Sequence, residues 1–237
     1  MKNLVIIPTY NEYINSKIIY NKIRKRNSKI DILFIDDKSP DKTYMVVKKL
    51  QQLDSKLFLI IRKKKLGIGS AHKKGFLWAR RKKYKSVITI DSDLSHDPNL
   101  INKMILMNER FPIIITGRFL LRNTLDQWPI IRKFITITRH NVIKFLFSIP
   151  YDTSGAFRCY NFNKINFNDL LLASDNGYSF FWQSLIILYK KGYKIKELPM
   201  IQPIRINGES KISIRDIYTA FFKLIFFYIT KKIKKFY

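Results

Sequence analysis

Four short, almost purely apolar runs, at 4–7, 32–35, 57–61 and 87–90, are each followed by polar or turn residues and separated by stretches long enough for a helix. Runs of Ile, Leu, Val and Phe without polar alternation mark strands buried on both faces, as in a parallel sheet covered by crossover helices. A fifth run at 113–116 follows another helix-length stretch and extends the β-α-β-α pattern. The expected fold is therefore one mostly parallel α/β sheet flanked by helices. Sheets of this kind place ligand sites at the carboxyl ends of their strands. There the chain carries PTYNE (8–12), DDKSPDKT (36–43), KLGIGSA (65–71) and DSDLSHD (91–97).

The second half is less regular. A helix is expected over 131–147, followed by DTSGAFR (152–158) and a helix near 179–191, while Pro199 and Pro203 confine the run between them to an edge strand or extended segment. The 237 residues suffice for one large domain, expected over 1–216, with 217–237 as a basic, aromatic amphipathic helix.

Lys and Arg number 45 against 17 Asp and Glu, a formal charge of +28, and the resulting field attracts polyanions such as nucleic acid, anionic lipid or phosphorylated substrates. Two acidic clusters at successive strand ends would repel nucleic acid, which argues against a basic nucleic-acid-binding module. The single Cys159 excludes an intramolecular disulfide and a cysteine zinc site, and suits a reducing compartment. Residues 1–10 hold an apolar run too short for a secretory signal.

No apolar stretch reaches the roughly 18–20 residues that span a bilayer. Two segments, 134–149 with Arg139, His140 and Lys144, and 217–229 with Lys223, mix bulky apolar residues and cations as interfacial helices do. In the second, Phe221, Phe222, Phe226, Phe227 and Tyr228 beside Lys231, Lys232, Lys234 and Lys235 suit an anionic headgroup region. A peripheral position on the cytoplasmic face of a membrane is expected.

Asp91 and Asp93 flank one serine at a strand end, and oxygen ligands so placed suit Mg²⁺ or Mn²⁺ bridging a diphosphate. Because oxygen donors dominate such sites, His96 is expected to be a turn residue. Asp36 and Asp37 can accept hydrogen bonds from ribose hydroxyls or base N–H groups, with Ser39 or Asp41 capping a helix alongside. Gly67 and Gly69 permit close backbone approach between the lysines at 63–65 and a helix, and the absence of GxxxxGK[ST] argues against a P-loop kinase or ATPase.

These motifs, with KLGIGSAHKKG (65–75), DSDLSHDP (91–98), TGR (116–118), WPIIRKFIT (128–136), GYSF (177–180) and RINGESK (205–211), occur in an order and spacing that resembles dolichol-phosphate mannose synthase and its bacterial polyprenyl-phosphate relatives among the family 2 glycosyltransferases. The resemblance implies a GT-A-type fold and an inverting, metal-dependent transferase. It places Pro8, Tyr10, Glu12 and Asp37 on the nucleoside, Asp91 and Asp93 on the metal, and Arg118, Arg132 and Thr136 around the lipid phosphate. Arg205 and Lys211 would sit in a loop closing over the donor, with Asp36 and Gly67 also on the donor side. Asp91, Asp93, Arg118 and Arg132 form the implied catalytic set.

GDP-mannose is the first expected donor, polyprenyl phosphate the acceptor and an anionic membrane surface a partner. UDP-glucose or another nucleotide sugar, with a lipid or glycan acceptor, is the alternative, and a separate membrane-anchoring subunit remains open. Two departures from the family pattern stand out. Phe181, Trp182 and Gln183 replace Gln-x-Glu, and Lys38 and Lys42 stand where glycines are usual and would restrict the backbone.

Overall fold

The computed structural model of the chain describes residues 2–201, 203 and 214–233, the last segment with side chains at 219–230. Elements follow in the order β1 (Asn3–Thr9), α1 (Tyr13–Arg26), β2 (Asp31–Asp36), α2 (Thr43–Leu53), β3 (Leu57–Ile61), α3 (Ile68–Arg81), β4 (Ser86–Thr89), α4 (Leu100–Asn108) and β5 (Ile113–Gly117). Then come α5 (Ile130–Phe147), β6 (Arg158–Asn161), α6 (Phe167–Leu171), α7 (Ser179–Lys190), β7 (Ile195–Pro199) and α8 (Ile214–Ile233). All five apolar runs are strands. Among the described residues one sheet has the order β3-β2-β1-β4-β6-β5-β7.

Successive residues of each strand feed opposite cores, as the two-residue period requires. Leu4, Ile6, Leu33, Ile35, Val87, Ile113 and Ile115 face a layer containing α3, α5, α7 and α8. Val5, Ile7, Ile32, Phe34, Ile88 and Ile114 face α1, α2 and α4. In α1 the inward positions Asn15, Ser16, Ile19 and Ile23 repeat at helical spacing, whereas α7 is buried continuously from Ser179 to Leu188. A helix apolar all round belongs in an interior, and α7 is sandwiched accordingly.

One strand departs from the parallel pattern: β6 lies antiparallel between β4 and β5, pairing Val87 with Tyr160 and Ile113 with Tyr160 from its two sides. Its four residues, RCYN, show no apolar run, and Arg158 within it is fully buried. At the sheet's edge β7 ends at Pro199, and Met200 and Ile201, the described part of the run between the two prolines, lie outside any strand. With β6 reversed, β4 and β5 run in the same direction, and their carboxyl ends open onto one edge.

The C-terminal helix corrects one expectation. Phe227 is buried against Phe147 and Trp182, with ring centroids 5.8 and 5.3 Å apart, and Tyr228 meets Phe147 at 5.6 Å, so both belong to the protein core rather than to a membrane face. Phe221, Phe222 and Phe226 remain exposed. The side chains of Lys231 and Lys232, and residues Lys234 and Lys235, lie outside the described ones.

Candidate active site

At the ends of β1 and β2 the two loops cap each other. Asn11 N–H donates to Ser39 Oγ (3.0 Å), Glu12 N–H to Thr43 Oγ1 (2.9 Å) and Tyr13 N–H to Asp41 Oδ2 (3.0 Å), so side chains after β2 satisfy the open N–H groups at the start of α1. Asp36 makes this possible. Its carboxylate accepts from Thr9 Oγ1 (2.9 Å), Ser39 N–H (2.8 Å) and Ser39 Oγ (2.6 Å), and it is fully buried. Direct contact between Asp36 and a nucleotide, as the sequence suggested, is closed off; the residue shapes the loop that would make the contact. Lys38 and Lys42 adopt φ of 52° and 61°, so the left-handed turns that glycine would suit are kept by lysines at a steric cost.

Asp37 anchors the third loop. It pairs with Arg62 and accepts Leu66 N–H (3.0 Å), while Arg62 also reaches Gly67 O (3.0 Å) and Ser70 Oγ. Arg62 escaped notice in the sequence because three lysines follow it directly. Tyr10 is half-buried with Lys65 Nζ 4.5 Å over its ring, and the buried Glu12 accepts from Asn15 Nδ2 at 2.7 Å. Pro8 is half-buried near the end of β1.

The close approach expected at Gly67 and Gly69 is made to the loop before α7 and the first turn of α7, not to the lysine run. A Cβ on Gly67 would sit 2.3 Å from Asn176 O, and one on Gly69 2.5 Å from Phe180 Cβ. Gly67 also has φ +92°, outside the range of L side chains. Gly67→Ala is expected to cost about 2–3 kcal/mol in strain and overlap, read as a lower denaturant midpoint; an unchanged midpoint would contradict the packing described.

After β4 the chain turns through Leu94 (φ 64°). Asp91 N–H donates to His96 Nδ1 (3.2 Å), and Asp93 Oδ1 accepts Ser95 N–H (3.1 Å) and Ser95 Oγ (2.6 Å). His96 is buried against Phe157, with ring centroids 5.4 Å apart. Burial, opposed by Asp93 and aided by Arg118, lowers its pKa to about 4, so the ring is neutral at pH 7 and Nδ1 is free to accept. His96 is thus an internal brace of the turn. Asp91 keeps 28% of its side-chain surface exposed, and the described residues contain no group of three or more His, Cys, Asp or Glu that could hold a metal alone.

Arg118, at the end of β5, is buried and forks onto Asp152, Nε to Oδ2 at 2.7 Å and Nη2 to Oδ1 at 2.8 Å, while also reaching Ser154 Oγ. The bidentate geometry expected for a phosphate is therefore already filled by a carboxylate. Asp152 N–H in turn donates to Glu197 Oε1 (2.9 Å), and burial, with the Asp152 charge, raises the Glu197 pKa to about 7 against that hydrogen bond and the pull of Arg118. On α5, Arg132 is exposed with its guanidinium 3.9 Å over the buried Trp128 ring, and Thr136 is buried one turn further on.

Arg158 holds the 152–158 loop to α7. It donates to Gly155 O (2.8 Å), Thr153 O (2.7 Å), Phe181 O (2.9 Å) and Ser184 Oγ (3.1 Å). At the altered 181–183 segment, Gln183 Oε1 accepts Asp175 N–H at 3.1 Å. Arg205 and Lys211 lie outside the described residues.

The model of the family described as glycosyl transferase family 2 matches residues 4–166. Polyprenol monophosphomannose synthase of Mycolicibacterium smegmatis is 29% identical over 230 residues, covering 94% of this chain and 85% of that protein. Undecaprenyl-phosphate mannosyltransferase of Micrococcus luteus is 27% identical, covering 90% and 88%. Among solved structures, glucosyl-3-phosphoglycerate synthase from Mycobacterium tuberculosis in complex with UDP superposes with TM-score 0.66 at 14% identity, covering 97% of this chain and 79% of that one, which establishes the shared fold. The same enzyme has been crystallised with Mn²⁺, UDP and glucosyl-3-phosphoglycerate, and that structure superposes with TM-score 0.63 at 13% identity, covering 94% and 77%.

Proposed function

The chain belongs to glycosyl transferase family 2, and from that premise we propose that it moves mannose from GDP-mannose to a polyprenyl phosphate at a membrane surface, inverting the anomeric carbon. The observation that carries the proposal is the meeting of two halves on one sheet edge. His96, behind the Asp91–Asp93 turn, lies within electrostatic reach of both Asp93 and Arg118. An acid pair able to hold a cation on a diphosphate therefore adjoins the arginine-bearing end of β5 and α5. The names of the two mannosyltransferase relatives support the sugar and the lipid acceptor.

Two carboxylates without a third fit Mg²⁺ or Mn²⁺, which such sites hold through one or two acids plus substrate phosphates. Asp91 and Asp93 would hold the ion, which when bound supplies charge neutralisation on the departing diphosphate. The acceptor phosphate is ionised near neutral pH, so one of its oxygens attacks the anomeric carbon without a general base as the bond to the donor diphosphate breaks. The electron pair leaves with the nucleoside diphosphate. Tyr10, Glu12, Asp37 and the loop held by Gly67 would frame the nucleoside, with Arg132 and Thr136 near the acceptor phosphate and Arg118 holding Asp152 behind them.

No helix among the described residues is long and apolar enough to cross a membrane. Exposed Ile130, Ile131 and Phe134 on α5, and Phe221, Phe222 and Phe226 on α8, would instead rest at the interface of the cytoplasmic leaflet, with nearby lysines on anionic headgroups. Since α8 also closes the core, deletion of 217–237 would unfold part of the protein. Replacing Phe221, Phe222 and Phe226 with Ser is the cleaner probe. The triple variant is expected to bind anionic liposomes about 10-fold or more weakly at an unchanged melting temperature; undiminished sedimentation with liposomes would refute the interfacial role.

The donor is tested by incubating the protein with polyprenyl phosphate and labelled GDP-mannose or UDP-glucose, then extracting lipid. Label from GDP-mannose in the lipid phase is expected. Label only from UDP-glucose would overturn the donor assignment, and label from neither would overturn the acceptor.

A further inference from the structure

Helix α5 presents Arg132, Thr136 and Arg139 at intervals of four and three, one stripe along its surface. Arg139 is half-buried, near the Arg118–Asp152 pair, whose two hydrogen bonds at 2.7 and 2.8 Å already satisfy the carboxylate fork. Among the described residues no hydrogen bond or ion pair holds Arg139. Among the described residues, the surrounding groups do not balance it. His140, stacked on Phe119 at 3.9 Å between centroids, is kept toward its neutral form by burial and by Lys144, Arg118 and Arg139 against Asp152. Lys144 adds a further cation. Glu197, the other acid beside Asp152, has its pKa raised to about 7 and carries only part of a negative charge at neutral pH.

A guanidinium cannot shed its proton near neutral pH, so one partly withdrawn from water beside a second, already paired guanidinium is disfavoured unless an anion arrives. Burial and the Arg118 charge, partly offset by Asp152, accordingly lower its pKa to about 10. We propose that Arg139 is a phosphate-contacting residue of the acceptor site, reading the terminal monoester of the lipid together with Arg132 and Thr136 on the same stripe. This rests on the acceptor reading above and deepens it: the locally unbalanced charge favours a dianionic monoester over a singly charged diester.

The test uses the full chain, with geranyl phosphate as a soluble monoester, geraniol as its uncharged control, and GDP as the donor-side probe, each titrated calorimetrically. Arg139→Gln is expected to weaken geranyl phosphate binding about 10- to 100-fold and to leave GDP binding unchanged. Its melting temperature should hold or rise, because an unbalanced cation has been removed, whereas a structural role would lower it. Arg139→Lys should recover part of the lost affinity. Wild-type affinity for geranyl phosphate in Arg139→Gln, or an equal loss for GDP, would overturn the assignment while the acceptor reading stands. Should the unaltered protein bind geranyl phosphate no better than geraniol, the acceptor reading itself falls, and the role of Arg139 with it.

Discussion

Asp91→Ala and Asp93→Ala are each expected to lower sugar transfer by about 10³-fold or more in the presence of Mg²⁺ or Mn²⁺, with little change in melting temperature. The expected loss follows from the electrostatics of a departing diphosphate, where several kcal/mol of charge stabilisation are at stake and each 1.36 kcal/mol is a factor of ten. Little stability is expected to be lost, because Asp91 is part-exposed and the hydrogen bonds of Asp93 to Ser95 are local. The two variants should differ in a way that checks the geometry. Asp93→Ala also releases Ser95 and loosens the turn, so adding metal should restore less activity to it than to Asp91→Ala. Near-normal initial rates in either variant would remove the acid pair from the mechanism.

The largest loss of stability is expected at Asp152. Removing it by Asp152→Ala leaves the Arg118 guanidinium buried without its fork, a defect that typically costs about 3–5 kcal/mol. For a domain of this size that is a fall of roughly 10 °C in melting temperature. Replacing both partners, Arg118→Met with Asp152→Leu, should cost less than Asp152→Ala alone, since no charge is then stranded. Arg118→Lys keeps the charge but loses the planar fork, and should fall between.

The same pair sets a pH dependence. Burial alone would raise the Asp152 pKa, but Arg118 and the N–H groups of Ser154 and Arg118 outweigh it and hold the carboxyl well below the ordinary carboxylate range. A depressed folded-state value stabilises above the unfolded pKa of about 3.9, so the contribution is complete near pH 5–6 and drains away as pH falls. Melting temperature measured from pH 6 to pH 3 should drop more steeply for the unaltered protein than for the doubly replaced one. Parallel slopes would contradict the assignment.

The residues differ in how openly their roles could be read. Runs such as NLVIIPT and DILFID admit little but doubly buried strands, because no polar residue interrupts them to offer a solvent face. The acids after β2 and β4 stood out because a carboxylate at the end of such a strand needs a reason. Strand β6 was hidden: RCYN is short, mixed in polarity and stabilised by neighbours distant in sequence. Arg62 and Arg139 were masked by the excess of cations around them, where only three-dimensional burial separates a built-in guanidinium from a solvated one. Arg118 was singled out, but its partner at Asp152 lies 34 residues away, beyond any local signal. Phe227 and Tyr228 likewise could not be told from Phe226 until α8 was placed against Phe147 and Trp182.

The central claim, transfer of mannose by one displacement onto a lipid phosphate, is tested most directly by the anomeric configuration of the product. GDP-mannose carries an α-linked sugar, and attack by a phosphate oxygen from the opposite face leaves it β-linked. NMR of the lipid recovered after reaction with polyprenyl phosphate should therefore show a β-mannosyl phosphate that is absent when EDTA is added. An α-linked lipid product, or mannose released to water with none on the lipid, would contradict it.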